Sequence, residues 1–340
     1  MRLDGVRVLD LTRLLPGPYA TQLLADAGAD VVKVEDTGTG DYARHMPPAT
    51  DDGVGAVFDA VNRGKRSVAL DLKSDPGQEG PHADRAGHDL NYVGLAGLLD
   101  MTREDDTEKP RLPGYQIADM AGGLLAAFAV CSALLSRELG NTGGEYLDVA
   151  LTDAVVSFSQ ALAPEALGGG DPRPGETALT GEYPWYDVYE ARDGRYVTLG
   201  ALEPHFWSAF CEAVDRPDLI GKHMTSDPAE RQAVREELED IFAEKTRDEW
   251  AEAMADVDAA VDGVYRPAET FEHPQIDARG YVDRPEEGPP RVGFPVGGSE
   301  VSDAGAHGPP GHGEHTEELL RDAGLDDDAI DRLRDEGAIN

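Results

Sequence analysis

Residues 5–35 read GVRVLDLTRLLPGPYATQLLADAGADVVKVE. Val6–Leu11 has the composition of a short apolar strand, and Leu14-Leu15-Pro16-Gly17-Pro18 that of a turn, with Pro18 suited to a first helical position. Tyr19–Ala27 is predicted helical, and Gly28 is placed to stop it. Asp30–Glu35 reads as a second strand. Strand, helix and strand at this spacing form a βαβ unit and imply a parallel sheet. Glu35 at the end of the second strand fits a Rossmann-like unit. No G-x-G-x-x-G follows the first strand, which argues against a nicotinamide dehydrogenase.

Beyond this unit come a polar loop carrying Gly38, Gly40 and Asp41, the basic stretch Asn62–Arg66, and a predicted third strand at Ser67–Leu72. The Gly/Pro-rich bridge Lys73–Gly87 has only fifteen residues, too few for a helix and another parallel strand. Residues 88–100 are predicted helical. Tyr115–Leu139 is a long helix, apolar on every face and therefore expected to be buried. A strand is expected at Glu145–Leu151 and a further buried helix at Ala150–Leu162. Strands follow around the Asp193-Gly194 turn, then a helix at Pro204–Val214 and charged amphipathic helix over 226–257. The chain closes with loop and short strand over 267–309 and two short helices split at Gly324, where Asp326–Asp328 can cap the second. The expected organisation is a large domain over 1–170, a small domain over 171–290, and a segment over 291–340 that returns to the large domain.

Thirty basic against 67 acidic side chains give a net charge of −37, and only six of the basic residues are Lys. That balance excludes a nucleic-acid footprint and disfavours anionic membranes. It is expected of a protein adapted to very high salt, where charges are screened within about 3 Å at 1 M. No run approaches 18 apolar residues, so no membrane span is expected. The start of the chain lacks a signal-peptide layout, and two cysteines fit a reducing cytoplasm.

Among candidate chemical groups Asp119 stands out, lying inside an apolar helix beside Ile117, Met120 and Leu124. A buried carboxylate is costly unless paired, and burial raises its pKa. The plainer alternative is a structural Asp bonded to an Arg or a backbone amide. Gly122-Gly123 permit close backbone approach. His88-Asp89 in GHDLNY form a second candidate, though a lone His is usually structural. Glu203 stands at the start of a helix, where a carboxylate is favoured anyway. No His/Cys pattern has metal-ligand spacing, and neither a phosphate loop nor G-x-S-x-G occurs.

The opening stretch, the turn Gly38–Asp41, NRGKRSVALDLKS, TGGEYLDVALTDA and the C-terminal PPGHGEHTEELLRDAGLDDDAIDRL together resemble the family III CoA transferases of the CaiB/BaiF type. GHDLNYVGLAGLL and PGYQIADMAGG resemble its α-methylacyl-CoA racemase branch. The resemblance implies an α/β fold with a Rossmann-like large domain, a smaller α+β domain and an interlocked homodimer. It implies His88 and Asp119 as an acid/base pair flanking the acyl α-carbon, with Asp89 and Glu203 in support. Contacts to coenzyme A, which arrives as part of the acyl-CoA substrate with no permanently bound cofactor, would come from Arg13, Pro16, Gly17, Arg63, Lys65 and Arg66. In transferases of the family the residue matching Asp119 is instead a nucleophile that forms an acyl anhydride.

Two departures accompany the resemblance. Asp36 stands where relatives carry an Arg, and the chain passes from DLKSDPGQE to GPHADRAGHD where relatives insert about fifty residues, the size of two βα units. The break falls near Glu79–Gly80, and the sheet is expected to stop early there and expose an edge. Three activities follow as expectations: an acyl-CoA racemase, a CoA transferase acting through Asp119, or a non-catalytic remnant.

Overall fold

The computed structural model describes residues 2–70, 81, 85–104, 107–285, 289–297 and 308–339. The expected junction at Glu79–Gly80 lies outside them. The fold is mixed α/β with a parallel sheet. Strand β1 (Arg7–Asp10), helix α1 (Pro16–Asp26) and strand β2 (Asp30–Glu35) form the expected βαβ unit. Helix α1 begins two residues before Pro18, with proline in its first turn, where the missing N–H costs no hydrogen bond. Helix α2 (Ala56–Val61) leads to β3 (Arg66–Ala69), and the sheet order is β1-β2-β3, parallel throughout.

Helix α3 (Asp89–Leu95) is followed by α4 (Ile117–Glu138) and α5 (Leu151–Val156). Only one stripe of α4 is buried: Ala118, Ala121, Gly122, Gly123 and Ala127. Leu124 and Phe128 are 53% and 68% exposed, so the all-round burial expected from the sequence does not hold within this chain. By length and composition α4 could also cross a membrane, contrary to the sequence expectation, but its small-residue stripe packs on α1 and α5. Glu145–Ala150 forms no strand, because among the described residues no neighbouring strand offers it a ladder. The expected helix beyond it is broken into α5, a single 3₁₀ turn at Ser159–Ala161, and α6 (Ala163–Leu167), with Val156 and Phe158 exposed.

The second compact unit comprises 99–111 and 160–272, and the first takes 1–98, 112–159 and 273–340. The divides thus fall at 98/99, 111/112, 159/160 and 272/273, where the sequence reading had two, at 170/171 and 290/291. In the second unit β4 (Tyr186–Glu190) and β5 (Tyr196–Gly200) form the expected hairpin, joined after α7 (Pro204–Ala213), α8 (Pro228–Phe242) and α9 (Arg247–Met254) by β6 (Val261–Gly263). Its core is aromatic: Trp185, Trp207, Phe210, Phe242 and Trp250 are buried together. Helix α10 (Pro267–Thr270) ends the unit.

The chain then returns to the first unit through α11 (Pro274–Arg279), the pair β7 (Val282–Asp283) and β8 (Arg291–Val292), α12 (Thr316–Asp322) and α13 (Asp327–Asp335). Asp326 caps α13 through Ala329 N–H, as its position predicted. Residues 313–316 close the outer edge of β3. Ser67 N–H donates to His315 Nδ1 at 3.3 Å, and His315 N–H donates to the Ser67 carbonyl at 2.9 Å. Ala69 N–H donates to Thr316 Oγ1 at 3.1 Å. The edge expected to lie open after β3 is therefore covered, and among the described residues the unpaired edge of the sheet is β1.

Candidate functional site

The GHDLNY motif places three of the four candidate groups. His88 is the N-cap of α3, and its N–H donates to Asn91 Oδ1 at 3.0 Å, fixing the backbone at that position. Gly87 has no Cβ because Tyr92 lies over it; an added Cβ would stand 2.9 Å from the Tyr92 hydroxyl. Asp89 turns away from α3 and caps α4: its Oδ1 accepts the N–H of Ala118 at 2.6 Å and of Asp119 at 3.1 Å. Those are two of the N–H groups that a helix start leaves without an internal partner. His88, Asp89 and Asp119 are thereby brought together at the meeting of two helix starts.

Asp119 is half-buried, and its carboxyl is pushed up to about 6, first by burial and then by the negative charge of Asp89, while His88 acts in the opposite direction. No cation pairs with Asp119 among the described residues. A carboxyl ionising near neutrality is suited to accept and return protons. His88 itself is exposed.

Gly122 and Gly123 allow the close approach that their sequence invited. They lie inside α4, where their N–H groups bond to carbonyls one turn back. A Cβ on Gly123 would stand 2.6 Å from the Pro16 carbonyl oxygen, and one on Gly122 would overlap Leu151. The pair lets α1 and α5 approach α4. Asp119, four residues before Gly123, lies on that same face one turn nearer the helix start.

The turn from β1 into α1 is fastened residue by residue. Asp10 accepts the N–H of Thr12 at 3.0 Å and its hydroxyl at 2.5 Å; Lys33 Nζ donates to the Thr12 carbonyl at 2.9 Å. Both oxygens of Asp41 accept the Leu14 N–H, at 3.0 and 3.2 Å, and hold Leu14 at φ 67°. A left-handed non-glycine residue is costly and persists only where its surroundings impose it. Between these anchors Arg13 is exposed, and among the described residues no carboxylate pairs with it. Gly17 is required because a Cβ would overlap Thr12. Pro16 meets α4 through its carbonyl.

The other basic residues expected at coenzyme A are engaged inside the fold. Lys65 is fully buried, with Nζ bonded to Asp10 Oδ2 at 3.1 Å, Thr21 Oγ1 at 2.7 Å, Asn62 Oδ1 and the Pro18 carbonyl. Burial would raise the Asp10 carboxyl, but Lys65 and Lys33 hold it at about 2. Arg63 is buried against the Ala60 carbonyl with Asp26 at 3.8 Å, and Arg66 grips Asp30 and Glu318. These three brace the sheet.

Glu203 belongs to the second unit. It is exposed at the N-cap of α7, and its side chain makes no capping hydrogen bond. Sequence reasoning missed Asn91, legible in retrospect as the fourth residue of a capping box, and Lys33, a cation inside an apolar strand. Among the described residues no group of three or more His, Cys, Asp or Glu side chains is placed to hold a metal ion.

The sequence model of CoA-transferase family III matches residues 3–79 and 76–316. The chain belongs to this family. A succinyl-CoA:mesaconate CoA-transferase of Haloarcula marismortui is 33% identical over 394 aligned positions, covering 95% of this chain and 97% of that protein. The human α-methylacyl-CoA racemase is 28% identical over 400 positions, covering all of this chain and 98% of the racemase. A crystal structure of a CaiB/BaiF family protein from Brucella suis superposes with a TM-score of 0.78 at 26% identity, covering 94% of this chain and 98% of that one. The 400 positions aligned with the racemase exceed this family III chain's 340 residues by sixty, and the two matched pieces meet at 76–79. This chain is therefore shorter internally than the relatives it otherwise follows from end to end.

Proposed function

We propose that this family III protein is an acyl-CoA racemase that inverts the α-carbon of a 2-methylacyl-CoA thioester. Asp119 and His88 act as the two bases. One removes the α-proton to give an enolate, and the other returns a proton to the opposite face. A thioester α-proton is weakly acidic, so a base poised near the working pH and a stabilised enolate are both needed. The observation that carries the reading is the half-buried Asp119, raised to about 6 beside His88 and fixed by Asp89. Coenzyme A enters with the substrate, and Arg13 on its braced turn, with Pro16 and Gly17, is the proposed contact. Glu203 is proposed to support the site.

Exchange of the α-proton with solvent deuterium, followed by NMR on a 2-methylacyl-CoA at molar KCl, tests this. Asp119→Asn and His88→Gln should each abolish exchange while CoA-ester binding persists. Exchange at the unaltered rate in both variants would overturn the assignment.

The 33% identity with a transferase supports a second reading. Here the Asp119 carboxylate attacks the thioester carbonyl, a C–O bond forms, the C–S bond breaks and CoA thiolate leaves. Hydroxylamine added with acyl-CoA would then mark Asp119 as a hydroxamate. Neither exchange nor hydroxamate would favour the non-catalytic remnant.

The exposed apolar face of α4, with Leu124 and Phe128, supports a homodimer as part of this reading. The acidic composition supports work at high salt in the cytoplasm. Because the shortened segment follows β3, we also propose that coenzyme A binds weakly.

A further inference from the structure

The parallel strands of the first unit all end on the same side of their sheet. The turn after β1 carries Arg13, and the loop after β2 runs from Asp36 to Asp41. Asp41 joins the two, since its carboxylate accepts the Leu14 N–H and pairs with Lys33 at 2.9 Å. Ligands of open α/β sheets bind outside these carboxyl ends. In dinucleotide-binding folds an acidic side chain there accepts from a free ribose hydroxyl, whereas an Arg receives a ribose phosphate.

Two acids stand at the end of β2, and one is spent inside the fold. Glu35 is buried, taking the Arg44 guanidinium at 2.7 and 2.8 Å, the Ser67 hydroxyl at 2.7 Å and the Asp41 N–H at 2.8 Å. Asp36 is exposed, and among the described residues no Lys or Arg forms an ion pair with it.

Asp36 Oδ1 accepts the N–H of Gly38 at 2.8 Å and of Thr39 at 3.0 Å. Successive backbone N–H groups turned to one point make a seat for an anion. Here the chain's own carboxylate fills it, and the N–H groups, Gly38 first, hold that carboxyl below its usual range. His312 steadies the loop: its Nε2 donates to the Asp36 carbonyl at 2.7 Å, and a Cβ on Gly40 would lie 3.0 Å from its ring. A phosphate arriving at this loop meets a negative charge, with the receiving amides already taken. A hydroxyl meets an acceptor, because both bonds fall on Oδ1 and Oδ2 can still accept.

We propose that Asp36 sets nucleotide specificity: the site prefers thioesters of 3′-dephospho-coenzyme A, whose ribose is unsubstituted, to those of coenzyme A. This rests on the acyl-CoA reading, with Arg13 as a nucleotide contact. It adds charge repulsion to the shortened segment as a cause of weak coenzyme A binding.

The test is calorimetric titration of the full chain with acetyl-CoA and with acetyl-dephospho-CoA in molar KCl. Screening there acts within about 3 Å, so a difference reports groups in contact. The dephospho ester should bind tighter by roughly tenfold or more, since like charges set together oppose binding. Asp36→Asn keeps an oxygen for the Gly38 and Thr39 N–H groups but removes the charge, and should bring the two affinities together. Asp36→Arg should reverse the preference. A residue that only shapes the loop would move both affinities and leave their ratio unaltered; that result would overturn the proposal. Equal affinity for the two esters in the unaltered chain would also overturn it, while leaving the acyl-CoA reading in place. Binding of neither ester would overturn both.

Discussion

Asp89 holds Asp119 through the main chain: its Oδ1 accepts the Asp119 N–H at 3.1 Å and the Ala118 N–H at 2.6 Å. The negative charge that fixes the helix start therefore also raises the carboxyl it positions. Structure and acidity at this point are set by one side chain.

Asp89→Asn separates the two effects. The amide oxygen can still accept both N–H groups, but the charge that raises Asp119 is gone. Its carboxyl should fall from about 6 toward the usual carboxylate range. The ionised, base-competent form then persists at lower pH. The acidic limb of the pH profile for α-proton exchange should move to lower pH. A limb left in place would show that the Asp89 charge does not govern Asp119.

Lys65→Met keeps the volume but leaves Asp10 buried without its ammonium partner. Removing one member of a buried pair costs about 3–5 kcal/mol. Chemical denaturation at high salt should register a loss of that size in the first unit, partly restored by adding Asp10→Asn. A loss below about 1 kcal/mol, the usual worth of an exposed pair, would show that the pair is not buried in solution.

Gly123→Ala tests the crossing of α1 and α4. The new Cβ would lie 2.6 Å from the Pro16 carbonyl oxygen and 2.9 Å from the Tyr19 ring, so the helices must part. Overpacking of this kind costs about 1–3 kcal/mol. The turn carrying Arg13 should shift with Pro16, weakening acetyl-CoA binding in calorimetric titration. Gly114→Ala, where nothing lies within 4 Å of the added Cβ, is the control.

Stability should rise with ionic strength. With 67 acidic against 30 basic residues, self-repulsion loosens the fold when the screening length is long. The melting temperature should be higher in molar KCl than in about 0.1 M KCl, where the screening length is about 10 Å. A melting temperature indifferent to KCl would contradict this.

The βαβ opening was legible because everything that makes it is local: an apolar strand, a proline at the helix start, and Gly28 at φ 96° past its end. Asp119 was legible as a carboxylate inside an apolar helix, whereas His88 took a role only through the family resemblance. The cap joining them was not, since Asp89 and Ala118 are 29 residues apart and no local pattern links them. Lys65 displayed a charge, but its partner Asp10 lies 55 residues earlier, so the brace it forms for the sheet was not legible. Glu145–Ala150 has strand composition, yet a strand exists only beside another strand. Glycines at 122 and 123 announced close approach without saying to what.

The closure of β3 sets a schedule for synthesis. Ser67 and the His315 ring that accepts its N–H are 248 residues apart. At a translation rate of about 5–20 residues per second, the strand waits on the order of tens of seconds for the residues that cover it. The whole second unit emerges in that interval. A nascent chain therefore carries the β3 edge uncovered, beside that of β1, until residues 313–316 are made, and any stall before His315 releases a species with two sites for misassembly. Chaperone demand during translation should accordingly fall sharply once His315 and Thr316 have cleared the ribosome.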